Sequence, residues 1–405
     1  MENEKGFGRS LKAELKKTTK KRWLKPLLIV IGIIVLVGGF FAWKAGNIFD
    51  KISTDGNVLG SLTRMIPGVN NELIGEKEGR VNILLLGMRG EELTGGGLLA
   101  DTIMVASIAP AENKISLFSL PRDLYVQNPG TESRSKINAV YAYGEEKRKG
   151  GGMEDMKTVV SEIVGQPIGY ALAINFKGFT DLVNAIDGVE VDLKQPFEEN
   201  MQFNEERACD SYVFTKPTGN FENKTTKYYS ETSGTYKTRI IKSYPLCTNP
   251  NVECGGDFKL PAGKQTLSGE QALCYARSRK TSSDFERAKR QQLVIQKIKE
   301  KALSLGTLTD FNKVSGIIDS LGNNVRTDMQ AWEMKRLYEI ERGLENPQMA
   351  QRVLENSQEG LLYNPEQRPE TGYILLPIGD NYDKIREVFK NIFTIPAQSD
   401  IEPKA

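Results

Sequence analysis

Apolar and polar positions are patterned differently in successive parts of this chain, and each pattern predicts its own element. From Pro26 to Trp43 (PLLIVIGIIVLVGGFFAW) no residue is charged. At 1.5 Å per residue a helix of this length covers about 27 Å, enough to cross a bilayer. Lys16, Lys17, Lys20, Lys21, Arg22 and Lys25 precede it, which predicts a cytoplasmic N-terminus and an external position for the chain beyond residue ~45. The bulky end Phe40-Phe41-Ala42-Trp43 lacks a small-x-small cleavage site, so an uncleaved signal anchor is expected over 26–43 in place of a cleaved signal peptide. Residues 1–25 then form a cytoplasmic basic tail, and 44–79 a polar stalk carrying an external domain over 80–395.

From Val81 onward short apolar runs alternate with helical periods. Val81–Leu86 (VNILLL) is continuous and ends at Gly87, as a strand buried on both faces requires. Strands are likewise predicted over Ile103–Ile108, Lys114–Leu120, Gly169–Phe176, Val189–Leu193 and Gly372–Leu376. Helices are predicted over 136–143, 153–164, Phe179–Ile186, Gly269–Ser278, 284–304, Leu308–Leu321, Met329–Leu344 and Tyr382–Ile392. This alternation indicates an α/β sheet covered on both faces. The tail from Pro396 is polar and expected to fray. Residues 197–257 break the pattern: they are rich in Asn, Thr, Lys, Tyr and Gly without a sustained apolar period. They read as an inserted surface excursion, where Cys209 could bridge to Cys247 or to Cys254. Cys274, inside a helical segment, reads as a small core residue.

Two loops carry candidate chemistry. The first strand runs into GMRGEELTGGGLLADT, a glycine-rich loop that matches neither GxGxxG nor GxxxxGK[ST]. The third runs into Pro121-Arg122-Asp123, presenting Arg122 at a strand's C-terminal edge, where α/β sheets usually hold ligands. The densest cluster lies in Arg277–Gln291 (RSRKTSSDFERAKRQ), with Arg277, Arg279, Arg287 and Arg290 around Asp284. Ser283-Asp284-Phe285-Glu286 fits a capping box. A helix starting there places Asp284, Arg287 and Gln291 on one face, while Leu293, Val294, Ile298 and Ala302 pin it to a core. Arginine forks at a helix N-terminus suit phosphate oxygens.

Composition narrows that chemistry. The chain has 405 residues and a net charge of +2. Residues 1–25 hold nine Lys or Arg against three Glu, leaving 45 basic and 49 acidic residues in the remainder. A mildly acidic body with a local basic site argues against nucleic acid as the main partner. Histidine is absent, which removes Ser-His-Asp catalysis, Cys-His catalysis and histidine zinc sites. A metal held by carboxylates alone would be a hard ion such as Mg²⁺.

Taken in order, NILLLG, LADT, LFSLPRDLYV, KINAVYAYG, NFKGFTDLVNAIDGVEVDL, LPAGKQTLSGEQALCYARSR and DFERAKRQQ resemble the LytR-CpsA-Psr family over about residues 80–305. The resemblance implies an α-β-α sandwich with a central mixed sheet and an apolar pocket for a polyprenyl tail. It implies a ligase that moves a glycopolymer from a polyprenyl diphosphate carrier to a peptidoglycan hydroxyl, as a phosphodiester, at the outer face of the membrane. Arg122, Arg277, Arg279, Arg287 and Arg290 match the family's diphosphate-binding arginines, Gln291 the motif glutamine, and Lys136 a cleft-facing position. Asp101 matches a metal-associated aspartate beside Mg²⁺, with Mn²⁺ as the substitute. Asp284 matches the acid that takes the acceptor's proton, so Asp284, Arg122 and Arg279 are expected to carry catalysis.

One position departs from the family pattern. Where many members have Asp two residues after the glycine ending the first strand, this chain has Arg89. Either Glu91 or Glu92 supplies the missing metal ligand, or Arg89 replaces part of the metal's charge. Two other functions share these residues: hydrolysis of the same diphosphate, and a non-catalytic regulator of envelope synthesis. The released product separates transfer from hydrolysis; the effect of changing Asp284 separates catalysis from binding.

Overall fold

The computed structural model describes residues 72–398 apart from 91–96, 200–205, 211–212, 250–257, 305–316, 318–320 and 367–370. The expected anchor, stalk residues 44–71, Glu91, Glu92 and nearly all of the helix expected over Leu308–Leu321 lie outside the described residues. Residues 72–79 of the expected stalk pack on the domain, with Leu73 buried beside Val81 and Trp332 and Glu76 paired with Arg336. Among the described residues no helix is long and apolar enough to cross a membrane.

The chain begins with three antiparallel strands, β1 (Val81–Met88), β2 (Thr102–Ala109) and β3 (Lys114–Leu120). A small hairpin, β4 (Tyr125–Gln127) with β5 (Arg134–Lys136), leads into helices α1 (Val140–Lys147) and α2 (Gly151–Val164). Next come β6 (Tyr170–Asn175), α3 (Phe176–Ala185), β7 (Val189–Leu193), β8 (Phe197–Glu199) and β9 (Arg207–Ala208). The insertion forms two long strands, β10 (Lys216–Ser230) and β11 (Thr235–Thr248), followed by β12 (Phe258–Leu260) and β13 (Gly263–Leu267). Helices α4 (Gly269–Arg277) and α5 (Asp284–Ser304), β14 (Val325–Thr327), α6 (Ala331–Gly343), β15 (Gln348–Val353), β16 (Leu362–Tyr363), β17 (Leu376–Pro377) and α7 (Asp383–Lys390) complete it.

The central sheet has the order β14-β6-β1-β2-β3-β15. It is mixed: β1 runs parallel to β6 and β15 parallel to β3, while the other neighbours are antiparallel. Strand alternation splits the buried side chains between two layers. Leu84, Leu86 and Phe118 join α1, α2 and α7 through Met156, Val160, Ile163 and Phe389. Val81, Ile83 and Ile115 face the other way, with Trp332 and Ile340 of α6. A third core packs α3, α4 and α5 around Val189, Val191, Phe197 and Val294. Gly269 lets α4 start against α3, since a Cβ there would lie 2.3 Å from the Thr180 carbonyl oxygen.

The mixed sheet sandwiched by helices is the expected architecture, with local differences. The helix expected from residue 136 begins as a 3-10 turn over Ile137–Ala139 and becomes α-helical at Val140, because Arg134–Lys136 pair with β4 first. The strand expected over Gly372–Leu376 reduces to Leu376–Pro377 against β16. The edge strand β15 was not signalled by its sequence; QMAQRV has little alternation and becomes a strand by pairing along β3. Of the tail expected to fray from Pro396, the described part is held at Gln398, which is buried, accepts from Val353 N at 2.8 Å and donates to Val353 O at 3.1 Å. Cys209 is bonded to Cys247. Cys274 sits in the core as expected but is itself disulfide-bonded and not a free thiol.

Candidate active site

The register of the sheet assembles the site. Ile103 of β2 pairs with Leu120 of β3, so the residue before β2 and those after β3 meet at one edge. There Arg122 Nη1 donates to Asp101 Oδ1 at 3.0 Å. Gly87 pairs with Thr102 at the same edge; a Cβ on Gly87 would lie 2.9 Å from the Thr102 Cβ, so a glycine is needed there.

Helix α5 brings the second half. Ser283 Oγ accepts from Glu286 N at 3.1 Å, while the Glu286 side chain turns to Lys289, so half of the expected capping box forms. The helix is fixed to the sheet by Gln292, whose amide donates to Ser119 Oγ and to the Arg352 carbonyl at 2.8 and 2.9 Å. Asp284 thereby faces Arg122. Its Oδ1 lies 2.8 Å from Arg287 Nη1 and 3.4 Å from Arg279 Nη1, and its Oδ2 3.6 Å from Arg122 Nη2. Asp284, Arg287 and Gln291 share one face, as their spacing requires, and line a pocket of about 170 Å³ with Asp101, Arg122 and Asp123. Its apolar wall is Ile103, Leu120, Phe285, Val353, Leu354 and Leu375.

The remaining candidates take different places. Lys136 Nζ lies 2.6 Å from Asp123 Oδ1, behind Arg122. Arg277 lies over the Phe176 ring at 4.2 Å and 3.6 Å from Asp210 of the insertion. Arg290 is fully buried and does not line the pocket. It donates to the carbonyls of Tyr275 and Ser278 and, at 2.9 Å, to Ser282 Oγ, holding the loop that carries Arg279 from beneath. Arg89 donates to the Ala208 carbonyl at 3.4 Å. Three contributors carry no local sequence signal. Buried Glu199 accepts from the backbone of Lys280 and Thr281, Gln292 ties helix to sheet, and Tyr373 lines the pocket.

Charge in the pocket is tightly coupled. Burial alone would raise the Asp284 pKa, but the guanidiniums of Arg287, Arg122 and Arg279 outweigh it and hold the carboxyl below its ordinary value. Burial lowers Arg122 too, yet Asp101, Asp284 and Asp123 reverse the effect and raise it. Arg287 and Arg277 are each pushed down to about 10, chiefly by burial. Both stay cationic at neutral pH. The guanidiniums of Arg287, Arg122 and Arg279 form a preformed anion cradle with the Asp284 carboxylate at its centre.

Comparison with known proteins gives this geometry a context. The LytR_cpsA_psr family profile matches residues 60–366. A Bacillus anthracis protein named polyisoprenyl-teichoic acid–peptidoglycan teichoic acid transferase TagU is 27% identical over 330 residues, covering 79% of this chain and 84% of that protein. TagV of Bacillus subtilis, named as the same kind of transferase, is 24% identical over 368 residues, covering 90% and 75%. An Enterococcus faecalis structure described as a transcriptional regulator shares the fold at a TM-score of 0.51 and 22% identity, over 81% of this chain and 92% of that one. A Streptococcus agalactiae protein does so at 0.51 and 21%, over 82% and 93%. With the family profile spanning most of its length, this chain belongs to the LytR-CpsA-Psr family.

Proposed function

We propose that this protein transfers a glycopolymer from a polyprenyl diphosphate carrier to a hydroxyl of peptidoglycan. The observation that carries the reading is Asp284, one carboxylate held by Arg122, Arg279 and Arg287 beside a partly apolar pocket. The names of the relatives point the same way. Incoming diphosphate oxygens take up the guanidinium donors that Asp284 and Asp101 accept from in the free protein. The acceptor hydroxyl gives its proton to Asp284. Its oxygen bonds to the phosphorus nearer the glycan, and the bond from that phosphorus to the bridging oxygen breaks. The products are a glycan–peptidoglycan phosphodiester and polyprenyl phosphate. The arginines stabilise the charge that builds on the leaving phosphate.

The apolar wall from Ile103 to Leu375 suits the first carbons of a polyprenyl tail. The space is short because Leu86, Phe118, Met156 and Phe389 fill the layer behind it.

Magnesium, or manganese in its place, belongs to the same proposal. Among the described residues no group of three or more side chains forms a metal site. A substrate-bound magnesium ion needs only one or two carboxylates, with phosphates and water completing its shell. Asp101, partly exposed at the pocket, fits that role. The ion would supply charge neutralisation at the diphosphate. Residues 26–43 would anchor the protein, with its catalytic domain outside the membrane.

The test is a transfer assay on the full-length chain with a polyprenyl diphosphate oligosaccharide, peptidoglycan oligomers and Mg²⁺, read by mass spectrometry. A phosphodiester adduct that disappears in Asp284→Ala and Arg122→Ala is expected. Free glycan phosphate without adduct would replace the transferase by a hydrolase.

A further inference from the structure

The surface excursion expected over 197–257 carries a regular element. Strands β10 and β11 form a two-stranded arm that, among the described residues, is joined in its sheet only to β9, at its base. At about 3.3 Å per residue its 15-residue strand spans roughly 50 Å. Its foot meets two arginines beside the candidate site, of which Arg277 senses the charge of Asp101. The Cys209–Cys247 disulfide closes it, Asp210 faces Arg277 at 3.6 Å, and the Ala208 carbonyl receives Arg89.

Cross-strand register sorts the arm's side chains by face. One face carries Phe221, Tyr229, Tyr236 and Ile240, all at least 56% exposed, with the Tyr229 and Tyr236 rings 5.3 Å apart. The other carries Lys224, Lys237, Arg239 and Lys242, with Arg239 over Tyr228 and Lys242 over Tyr244. Residues 216–248 hold six basic residues, all exposed, against two acidic ones.

We propose that this arm binds a phosphate-bearing glycan chain, holding the polymer whose diphosphate end sits in the arginine cradle. The inference rests on the transferase reading for the identity of that polymer. Exposed rings offer flat apolar faces to sugars, and the cations complement phosphodiester charge along a linear chain. Threonine, asparagine and serine between them add hydrogen-bonding groups. A bilayer partner fits less well, because the tip Glu231-Thr232-Ser233-Gly234 is polar while the apolar residues lie along the strands. A protein partner fits less well still, since protein interfaces are depleted in lysine and five of the six cations are lysines.

The test follows hydrogen exchange of residues 216–248 in the full-length chain, held in phosphatidylcholine nanodiscs, with glucosylated poly(glycerol phosphate) as the probe. Protection of the arm is expected. Lys224→Ala, Lys237→Ala, Arg239→Ala and Lys242→Ala combined should weaken binding roughly tenfold or more, the sum of several exposed ion pairs. Unchanged exchange in the central sheet would show that this variant is folded. Absence of protection overturns the proposal. So does binding that survives the four substitutions, or protection by phosphatidylglycerol nanodiscs in place of the polymer. Binding is read without turnover. A chain that protects its arm but transfers nothing refutes the transferase reading and leaves the arm; one that transfers without protection does the reverse.

Discussion

Asp284 shows how a single residue's environment sets its chemistry. As a base it is weak in the free protein, because three guanidiniums stabilise its charged form. A diphosphate would draw those guanidiniums to its own oxygens and add negative charge beside the carboxylate; both changes raise its pKa. The acid limb of kcat/KM reports the free enzyme and that of kcat the complex. The acid limb of kcat should therefore lie at higher pH than that of kcat/KM, and pH-rate profiles on one substrate check it. Coincident limbs would mean that the arginines never leave Asp284. Asp284→Asn should reduce transfer by about 10²–10⁴-fold, the usual loss for a general base, while diphosphate affinity, read by calorimetry, holds or improves. Arg290 belongs to a different class. Its match to a substrate-binding motif came from sequence, but its position is internal, under the 278–282 loop. Arg290→Ala should cost about 2–4 kcal/mol in equilibrium denaturation, by leaving buried carbonyls without a charged donor. An unchanged midpoint would return Arg290 to the surface of the site.

Among the elements, those with strong apolar patterns were legible. β1, β2, β3, β6, β7, α2 and α5 lie within a few residues of their expected bounds, since burial on one or both faces imposes a period. β15 and the hairpin β10–β11 were not legible. The former is an edge strand that exists through pairing with β3. The latter is exposed on both faces, so no burial period marks it. Cross-strand pairing and the disulfide hold the arm together. Replacing Cys209 and Cys247 together by serine removes a link between residues 38 apart, worth at most about 3–4 kcal/mol by loop entropy. The loss should appear first as faster hydrogen exchange over 207–248, with the central sheet unaffected. Equal acceleration in both regions would make the arm part of the main cooperative unit.

For the molecule as a whole, the chain combines a basic, apolar N-terminal segment with a sheet domain whose site opens at one sheet edge. Deleting residues 1–43 should release the protein from membranes into the soluble fraction, read by fractionation with a carbonate wash. Retention on the membrane would remove the anchor from the proposal.

Sequence by itself determined the covered α/β sheet, the strand ends bearing Asp101 and Arg122, and the helix face that joins Asp284, Arg287 and Gln291. Each follows from local periodicity, from capping or from motif spacing, which act within about ten residues. Only the tertiary structure decided which arginines face the pocket, because Arg287 and Arg290 point only about 60° apart around the axis of a helix whose orientation is set by Gln292 and the core. It alone decided the parts of Glu199 and Tyr373, and the two-faced arm whose foot meets Arg277. Those depend on residues far apart in the chain being brought together, and separations of that kind leave no period to read.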